Sequence, residues 1–295
     1  MFNHITNFSI AGIKVKIESN TEIMLANQFE NFIDEFSEVD LTFRICKLDK
    51  YNVEAAQGFE KVKQYKKNID IFYKDGIYYK VAFTDKTKKE IFWCVEYDLS
   101  VSDFYNIYIF KPWESSLKKL DPFLLLGIPY LLSKFSSFLL HASVIDYEGT
   151  GILFTAPSQT GKSTQAGLWE KFYNASIING DRAIIRQTDK YYVYGSPYAG
   201  SSEIYRNCKA QIGAIVVLRQ SKDNSIVKLN KKQSYISLMS EMLICTDSKK
   251  IAEEQSDFLL KMVDEIPVYL LNCRPDREAV ELLHTELQRS QTNEE

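Results

Sequence analysis

The chain has 295 residues, which is enough for two modest domains that each have a hydrophobic core. Its hydrophobic content of 45%, charged content of 25% and formal net charge of −3 are ordinary for a globular protein and give no reason to expect a nucleic acid as partner. No apolar run approaches the roughly 20 residues of a membrane helix, no signal-peptide pattern opens the chain, and the five cysteines show no paired spacing. These features predict a cytoplasmic protein with reduced thiols and without a membrane partner, and they leave a homo-oligomer open.

Residues 1–115 are predicted to form a strand-rich domain, an antiparallel sheet with one helix and no set of residues that carries chemistry. The helix is expected at 22–34, where Met24, Phe29 and Phe32 are the apolar positions. Lys74-Asp75-Gly76 between two apolar runs is typical of a hairpin. Residues 47–67 are polar, and their lysines are interpreted as a solvated face. The predicted strands cover 13–17, 39–46, 69–73, 77–83, 91–97 and 105–110.

Residues 116–137 are predicted to be a largely apolar helix, bent at Pro129, that joins this domain to a second one at 138–290. The second domain alternates strands and helices, and the fold class is therefore α/β (α+β) with a mixed sheet. Its predicted strands cover 139–145, 151–155, 176–178, 183–186, 191–194, 212–218 and 268–271, and its predicted helices cover 164–172, 232–244, 251–266 and 275–288.

The segment Ala156-Pro157-Ser158-Gln159-Thr160-Gly161-Lys162-Ser163 has the pattern of a phosphate-binding loop (Walker A), G-x-x-x-x-G-K-[ST], with Ala at the first Gly position. An apolar strand enters it and a helix leaves it, which is the arrangement that such a loop requires, because the helix N-terminus presents N–H groups to phosphate. If the fold required a positive φ at Ala156, the alanine would cost about 1–2 kcal/mol. The alternative is a surface turn that reads Gly-Lys-Ser by chance. The residues predicted to bind the nucleotide are Ser158, Gln159, Thr160, Gly161, Lys162, Ser163 and Thr164.

The stretches HASVI, GILFTAPSQTGKST, INGDR and GSPYAGSSEIYRN together resemble the catalytic domain of HPr kinase/phosphorylase, and most of all a bacterial subgroup of related proteins often found with peptide-modification systems, including lasso-peptide kinases. The resemblance covers about 139–218 well, the C-terminal part more loosely and the N-terminal half only in general. It implies the P-loop fold shared with ATP-dependent phosphoenolpyruvate carboxykinase, with ATP and Mg²⁺ as cofactors. His141 and Asp181 match family positions, and Asp181 matches the second acid of an Asp-Asp pair that acts as general base, whereas the first acid is Gly180 here.

Roles follow for four further side chains. Asp181 is predicted to be the catalytic acid-base group and, with Ser163, a metal ligand; the alternative is a turn-forming Asp. His141 is predicted to orient Asp181 or donate to a phosphate, the alternative being a structural His bonded to backbone. Arg206, or else Arg182, is a candidate for neutralising the transferred phosphate, and the alternative for each is an ordinary ion pair. The polar loop 195–208 is a candidate acceptor pocket.

The sequence thus favours an ATP-dependent kinase that transfers the γ-phosphate to a hydroxyl, with Ser the favoured acceptor, of a peptide, a protein or a small molecule. Lys162 would neutralise charge on the transferred group. The alternative is a non-catalytic ATP-binding switch or accessory module in a peptide-modification system, and the missing acid at Gly180 supports it.

Overall fold

The computed structural model describes residues 2–48, 59–84, 86–88, 90–98, 103–110, 121, 123, 125, 127–246 and 248–292. The chain divides into two compact units, Met1–Ile128 and Pro129–Glu295. Each unit contains one large mixed sheet, and helices are few, so the predicted α/β class is confirmed. The predicted bridging helix lies in part outside the described residues. Within them, a short helix spans Ile128–Ser133 and a strand already begins at Ser137.

The first unit is an eight-stranded sheet in the order β1-β2-β3-β8-β7-β6-β5-β4. The prediction of an antiparallel sheet is wrong, because β3 pairs in parallel with both of its neighbours, β2 and β8. Parallel pairing needs a long connection, and the chain between β2 and β3 and the chain between β3 and β8 both provide one. The predicted hairpin at Lys74-Asp75-Gly76 is confirmed. The strands are β1 His4–Ile10, β2 Ile13–Ser19, β3 Leu41–Leu48, β4 Glu60–Lys66, β5 Ile69–Lys74, β6 Ile77–Phe83, β7 Ile91–Tyr97 and β8 Phe104–Phe110.

One further prediction for this unit is wrong. The helix expected at 22–34 is a 3₁₀ helix at Asn27–Phe32, in which Phe29 and Phe32 are fully buried, while Met24 is 62% exposed. Their spacing of three residues matches the three-residue turn of a 3₁₀ helix, which brings both rings to one face. The described part of the polar stretch 47–67 contains edge strand β4, whose lysines Lys61, Lys63 and Lys66 are exposed as the solvated face predicts, and Lys61 also contacts Asp70. An edge strand needs no apolar alternation, and lysine is common there.

Asp70 on β5 is a buried charged residue of the first unit, and its side chain is only 3% exposed. Lys88 Nζ lies 2.7 Å from both carboxylate oxygens, and Lys61 Nζ lies 2.9 Å from Oδ2. Burial raises the pKa of Asp70, but the hydrogen bonds from Lys88 and Lys61 outweigh it, and the pKa lies below the usual 3.8. The ionised carboxylate is therefore held inside the sheet by two cations.

The second unit is a nine-stranded sheet whose main path is β10-β9-β12-β13-β14-β17-β15, with β11 and β16 paired to β9. β10 also pairs in parallel with β14. This pairing closes a ring of hydrogen-bonded strands in the order β10, β9, β12, β13 and β14. The strands are β9 Ser137–Tyr147, β10 Thr150–Thr155, β11 Ser176–Asn179, β12 Arg182–Gln187, β13 Tyr191–Tyr194, β14 Lys209–Gln220, β15 Ser225–Lys228, β16 Met242–Leu243 and β17 Val268–Cys273.

Helices cover both faces of this sheet. They are α1 Ile128–Ser133, α2 Lys162–Tyr173, α3 Lys231–Met239, α4 Lys249–Glu265 and α5 Arg277–Thr292. Successive side chains of β10 point to opposite faces of the sheet, so this strand contributes to the core on both faces. Ile152 and Phe154 pack with the buried face of α2 and α5, whereas Leu153 packs with that of α3 and α4. The parallel strands β10, β14 and β17 therefore run through the centre of the core, with β14 paired between the other two.

The C-terminal part differs from the prediction in two places. The helix expected to run to residue 244 ends at Met239, because residues 242–243 pair with β9 as β16. The sequence analysis also missed β15, a four-residue strand at the sheet edge. Among the described residues, no helix combines the length and the apolar character that crossing a membrane requires.

Candidate active site

The predicted phosphate-binding loop joins the carboxyl end of β10 to the first turn of α2. Ser158 and Gln159 are exposed, and the left-handed residues of the loop are Gln159, with a φ of 65°, and Gly161, with a φ of 109°. Ala156 is not among the positive-φ residues, so the strain considered for that alanine does not arise. The Gln220 side-chain amide at the end of β14 donates to the Gln159 carbonyl at 3.3 Å and links the loop to the neighbouring strand.

The N-terminus of α2 is open to an anion. Gly161 is the N-cap residue and supplies no side chain to accept from the first N–H groups. Ser163 and Thr164 are exposed in the first turn, and Thr160 is half-buried before it. Free N–H groups and the positive end of the helix dipole together favour a phosphate at this position.

Lys162 begins α2 and is 7% exposed. Its ammonium donates to the Ala156 carbonyl at 2.8 Å and to the Pro157 carbonyl at 3.3 Å, so the loop folds around its own lysine. Burial lowers the pKa of Lys162, and the negative charges of Glu241 and Asp181 act in the opposite direction. Both carboxylates therefore lie within electrostatic reach of the lysine, although Asp181 is 19 positions away and Glu241 is 79 positions away in the sequence.

His141 lies on β9 where the strand changes partners on both of its edges. On one edge, β11 and then β12 pair with β9, with a register shift between Ile177 and Asn179 and an interruption at Gly180-Asp181. On the other edge, the pairing passes from β16 to β10. The N–H of His141 donates to the Glu241 carbonyl at 2.9 Å, and the next N–H, of Ala142, donates to the Asp181 carbonyl at 2.8 Å. Two turns from distant parts of the chain thus meet at one residue of β9.

The His141 ring connects two carboxylates. Its Nε2 lies 3.1 Å from Asp181 Oδ1, and its Nδ1 lies 3.1 Å from Glu241 Oε2. The ring therefore links the Asp181 tip to the Glu241 turn through one contact at each of its nitrogens.

A buried asparagine shapes the tip that carries Asp181. Asn179 is fully buried at the end of β11, and its Oδ1 accepts from the N–H groups of Asp181 at 3.0 Å and Arg182 at 2.8 Å. Its Nδ2 donates to the Ser196 carbonyl at 3.0 Å. The two accepted bonds form a local turn of the kind that Asn favours. Asp181 Oδ2 also lies 3.5 Å from Arg182 Nε, so Arg182 is at the tip beside the acid.

Position 180 has no room for a side chain. A Cβ built on Gly180 would lie 1.8 Å from Ser202 Oγ and 2.4 Å from Ser202 Cβ. A Cβ built on Gly200, which has a φ of +57°, would lie within 2.9–3.0 Å of Asp181 side-chain atoms. The loop after β13 therefore packs directly against the tip, and a carboxylate at position 180 would clash with that loop.

Ser163 is the nearest loop residue to the tip. Its Oγ lies 3.4 Å from the Gly180 carbonyl and 3.4 Å from Ser143 Oγ, both at the long limit of a hydrogen bond, so it is able to turn to another partner. Ser143 makes the stronger bond of 2.7 Å to the Gly180 carbonyl. Within the described part of the chain, no three His, Cys, Asp or Glu side chains converge to hold a metal ion unaided. Ser163 and Asp181 as Mg²⁺ ligands stay a prediction, and their oxygens are of the kind that Mg²⁺ takes when phosphate oxygens and water complete its shell.

Arg206 and the loop 195–208, which the sequence analysis also assigned to the site, have their own contacts outside the group formed by His141, Asp181 and Glu241. The Arg206 side chain is exposed, and the Arg206 backbone N–H donates to the Ile178 carbonyl at 3.2 Å. Burial raises the pKa of the nearby Cys208 thiol, and the positive charge of Arg206 partly offsets this. Its guanidinium role therefore stays a prediction. In the acceptor-pocket loop, Ser202 Oγ donates to the Ala199 carbonyl at 2.6 Å, which closes a 3₁₀ turn. The sequence analysis missed Glu241, Asn179 and Ser143 as parts of this site.

Comparison with known proteins gives a distant structural relationship only. No model of a known protein family and no curated protein sequence matches the chain. Among solved structures, the Hpr(Ser) kinase/phosphatase from Coxiella burnetii is similar, with 12% sequence identity and a TM-score of 0.32 over 53% of this chain and 91% of that one. A likeness of this degree carries no argument about function, which has to rest on the geometry of the site.

Proposed function

We propose that the chain is an ATP-dependent phosphotransferase that moves the γ-phosphate of ATP to a hydroxyl group, with a serine hydroxyl of a peptide or protein favoured and a small-molecule hydroxyl as the other acceptor class. The observation that carries the proposal is the contact between the phosphate-type loop and the tip that bears the carboxylate–imidazole pair, where Ser163 Oγ lies 3.4 Å from the Gly180 carbonyl. Lys162 opens a helix without a side-chain cap, and Asp181, bonded to His141, lies within its electrostatic reach. Cation, open N–H groups and acid are the parts that phosphoryl transfer uses.

Each group has a definite task in this reaction. The N–H groups of the first turn of α2 hold the phosphates, and the Lys162 ammonium leaves the Ala156 and Pro157 carbonyls for phosphate oxygens. The acceptor oxygen forms a bond to the γ-phosphorus while the bond from that phosphorus to the ADP oxygen breaks. The hydroxyl proton passes to Asp181, whose orientation His141 and Asn179 fix. Mg²⁺, when bound by Ser163 and Asp181, supplies neutralisation of the phosphate charge.

A second function, a nucleotide-dependent switch without transfer, is favoured by one observation. Position 180 holds no carboxylate and has no space for one. In that case nucleotide binds the loop, and the first unit or another surface of the chain responds to it.

The two functions separate in one experiment. ADP release from ATP is measured with a panel of serine-containing peptides and hydroxylated small molecules, for the wild type and for Asp181→Asn. The phosphotransferase proposal expects one acceptor class to gain phosphate, and expects Asp181→Asn to reduce that transfer by about 10²-fold or more while nucleotide still binds. Asp189→Asn, an exposed acid in the turn between β12 and β13, is the matched control and should transfer normally. Nucleotide binding with no phosphorylated acceptor in the whole panel would refute transfer in favour of the switch.

A further inference from the structure

Glu241 lies in the turn between α3 and β16, 100 positions from its partner His141. It continues the register of β16 along β9, because Met242 pairs with Leu140 and the Glu241 carbonyl accepts from the His141 N–H. The two side chains are therefore direct cross-strand neighbours on one face of the sheet, and their charged ends meet at 3.1 Å. The Glu241 side chain is only 11% exposed, so the contact is largely shielded from water.

The same carboxylate acts on the loop lysine. Of the two acids whose charge opposes the effect of burial on the pKa of Lys162, Glu241 has the larger influence and Asp181 the smaller. Glu241 thus reaches both ends of the site, His141 by direct contact and Lys162 through the field of its charge.

We propose that Glu241 is a further residue of the active site, a positioning residue that holds the His141 ring toward Asp181 and adds negative charge beside the phosphate-binding loop. The inference rests on the proposed function, since it assigns Glu241 to the same phosphate site. The contact of Glu241 with Nδ1 fixes the rotation of the His141 ring, and this rotation directs Nε2 toward the Asp181 carboxylate. Since a side chain is excluded at position 180, Glu241 is the second carboxylate that the fold brings to this histidine.

The proposal predicts opposite effects on binding and on turnover. Glu241→Gln keeps the size of the side chain and removes a negative charge that competes with phosphate for Lys162. Metal-free ADP should therefore bind about threefold to tenfold more tightly. Phosphate transfer should fall by about 10²-fold, because the ring that orients Asp181 is no longer held by a charged partner. A glutamate with only a structural role would weaken both together when replaced.

The experiment combines ADP titration by calorimetry in EDTA, turnover with the best acceptor, and ¹⁵N NMR of labelled histidine, which is practical because the chain has three histidines. Glu241→Gln should shift the His141 ring resonances, assigned with a His141→Asn variant, and leave the other two histidines unchanged. Glu241→Asp, which keeps the charge, should leave ADP affinity within about twofold of the wild type and recover part of the turnover. Glu253→Gln, an exposed glutamate on α4, is the control and should change nothing.

Two results would overturn the assignment: weaker ADP binding together with lost turnover, or unchanged His141 resonances with unchanged binding. If Glu241→Gln does not fold, Glu241→Asp decides, because ADP affinity lowered by more than about tenfold with the charge retained contradicts the electrostatic role. If the wild type transfers phosphate to no acceptor but Glu241→Gln tightens ADP and shifts His141, the transfer reaction is refuted and the place of Glu241 in the phosphate site stands.

Discussion

The contact between Gly180 and Ser202 gives a sharp prediction about stability. Gly180→Ala adds one methyl group where Ser202 Oγ and Cβ stand 1.8 and 2.4 Å from the new carbon. Real Cβ atoms do not approach other atoms this closely, so the loop after β13 or the tip before Asp181 must move. Because Ser202 is bound to the Ala199 carbonyl and accepts from the Ile204 N–H, the loop cannot yield by a side-chain rotation alone.

The expected size of the effect follows from the kinds of change involved. Overpacking of a well-packed site costs about 1–3 kcal/mol, and we expect Gly180→Ala to lower the free energy of unfolding by that amount. Ser202→Gly alone should cost about 1–2 kcal/mol, because it removes two hydrogen bonds and adds backbone freedom. The double variant removes the clash, so its cost should be smaller than the sum of the single costs by about 1–2 kcal/mol.

Equilibrium urea denaturation of the full chain measures these differences, and amide hydrogen exchange over residues 176–206 reports the tip itself. Gly167→Ala is the matched control: Gly167 lies inside α2 with nothing within 4 Å of a built Cβ, so the same substitution should stabilise the protein by about 0.5–1 kcal/mol. Additive costs in the double variant, or a Gly180→Ala variant as stable as the wild type, would show that the loop does not exclude a side chain at position 180.

Three further predictions concern the loop lysine, a buried acid and the core. Lys162→Ala should weaken ADP binding by about 10- to 100-fold in calorimetry, because it removes a charged hydrogen-bond donor; equal affinity would contradict a phosphate site there. Burial raises the pKa of Asp70, but its lysine partners lower it by more, so the folded-state pKa lies below the usual 3.8. The stabilisation from the ionised carboxylate is therefore complete above pH 3.8 and is lost as the pH falls through the folded-state pKa. Acid unfolding of Asp70→Asn should lack this component, and an unchanged pH dependence would refute the ion pairs. Leu153→Ala in β10 should lower the free energy of unfolding by about 2–5 kcal/mol in urea, whereas Ile236→Ala, at a 59% exposed position on α3, should change it by no more than about 0.5 kcal/mol.

The parts of the site that the sequence predicted are those encoded within a few residues. Strand β10, the loop and helix α2 each have a local signal: an apolar run, the spacing of the loop residues, and Gly161 before Lys162. Such signals work because a turn residue or a helix start depends on its own backbone conformation. The expectation that Asp181 reaches the loop also rested on local order, since β11 directly follows α2 along the chain.

The elements that were mispredicted are those whose structure is set by a distant partner. Residues 242–243 continue a helical pattern but pair with β9, and the pairing with a long central strand outweighs the weak helix preference of two residues. The edge strand β4 lacks the apolar alternation that identifies a strand, because consecutive residues 60–64, which point to both faces of the sheet, are all exposed. Phe29 and Phe32 fit both helix types, and local spacing does not decide between them.

Glu241 illustrates why the active site was only partly predictable. Nothing around it in the sequence differs from an exposed helix end, and its role appears only when β16 places it opposite His141. The Asp181 tip lies at the other edge of the same strand, β9. The register of the strand pairings therefore brings the Asp181 turn and the Glu241 turn to one imidazole, and no sequence motif links the two turns. Register along a strand is fixed by the whole buried face, because a slip of one residue would turn every core side chain of β9 outward. The geometry of the candidate site is therefore protected by the packing of the sheet core, and a variant that shifts the register of β16 should disconnect Glu241 from His141 while the phosphate-binding loop stays intact.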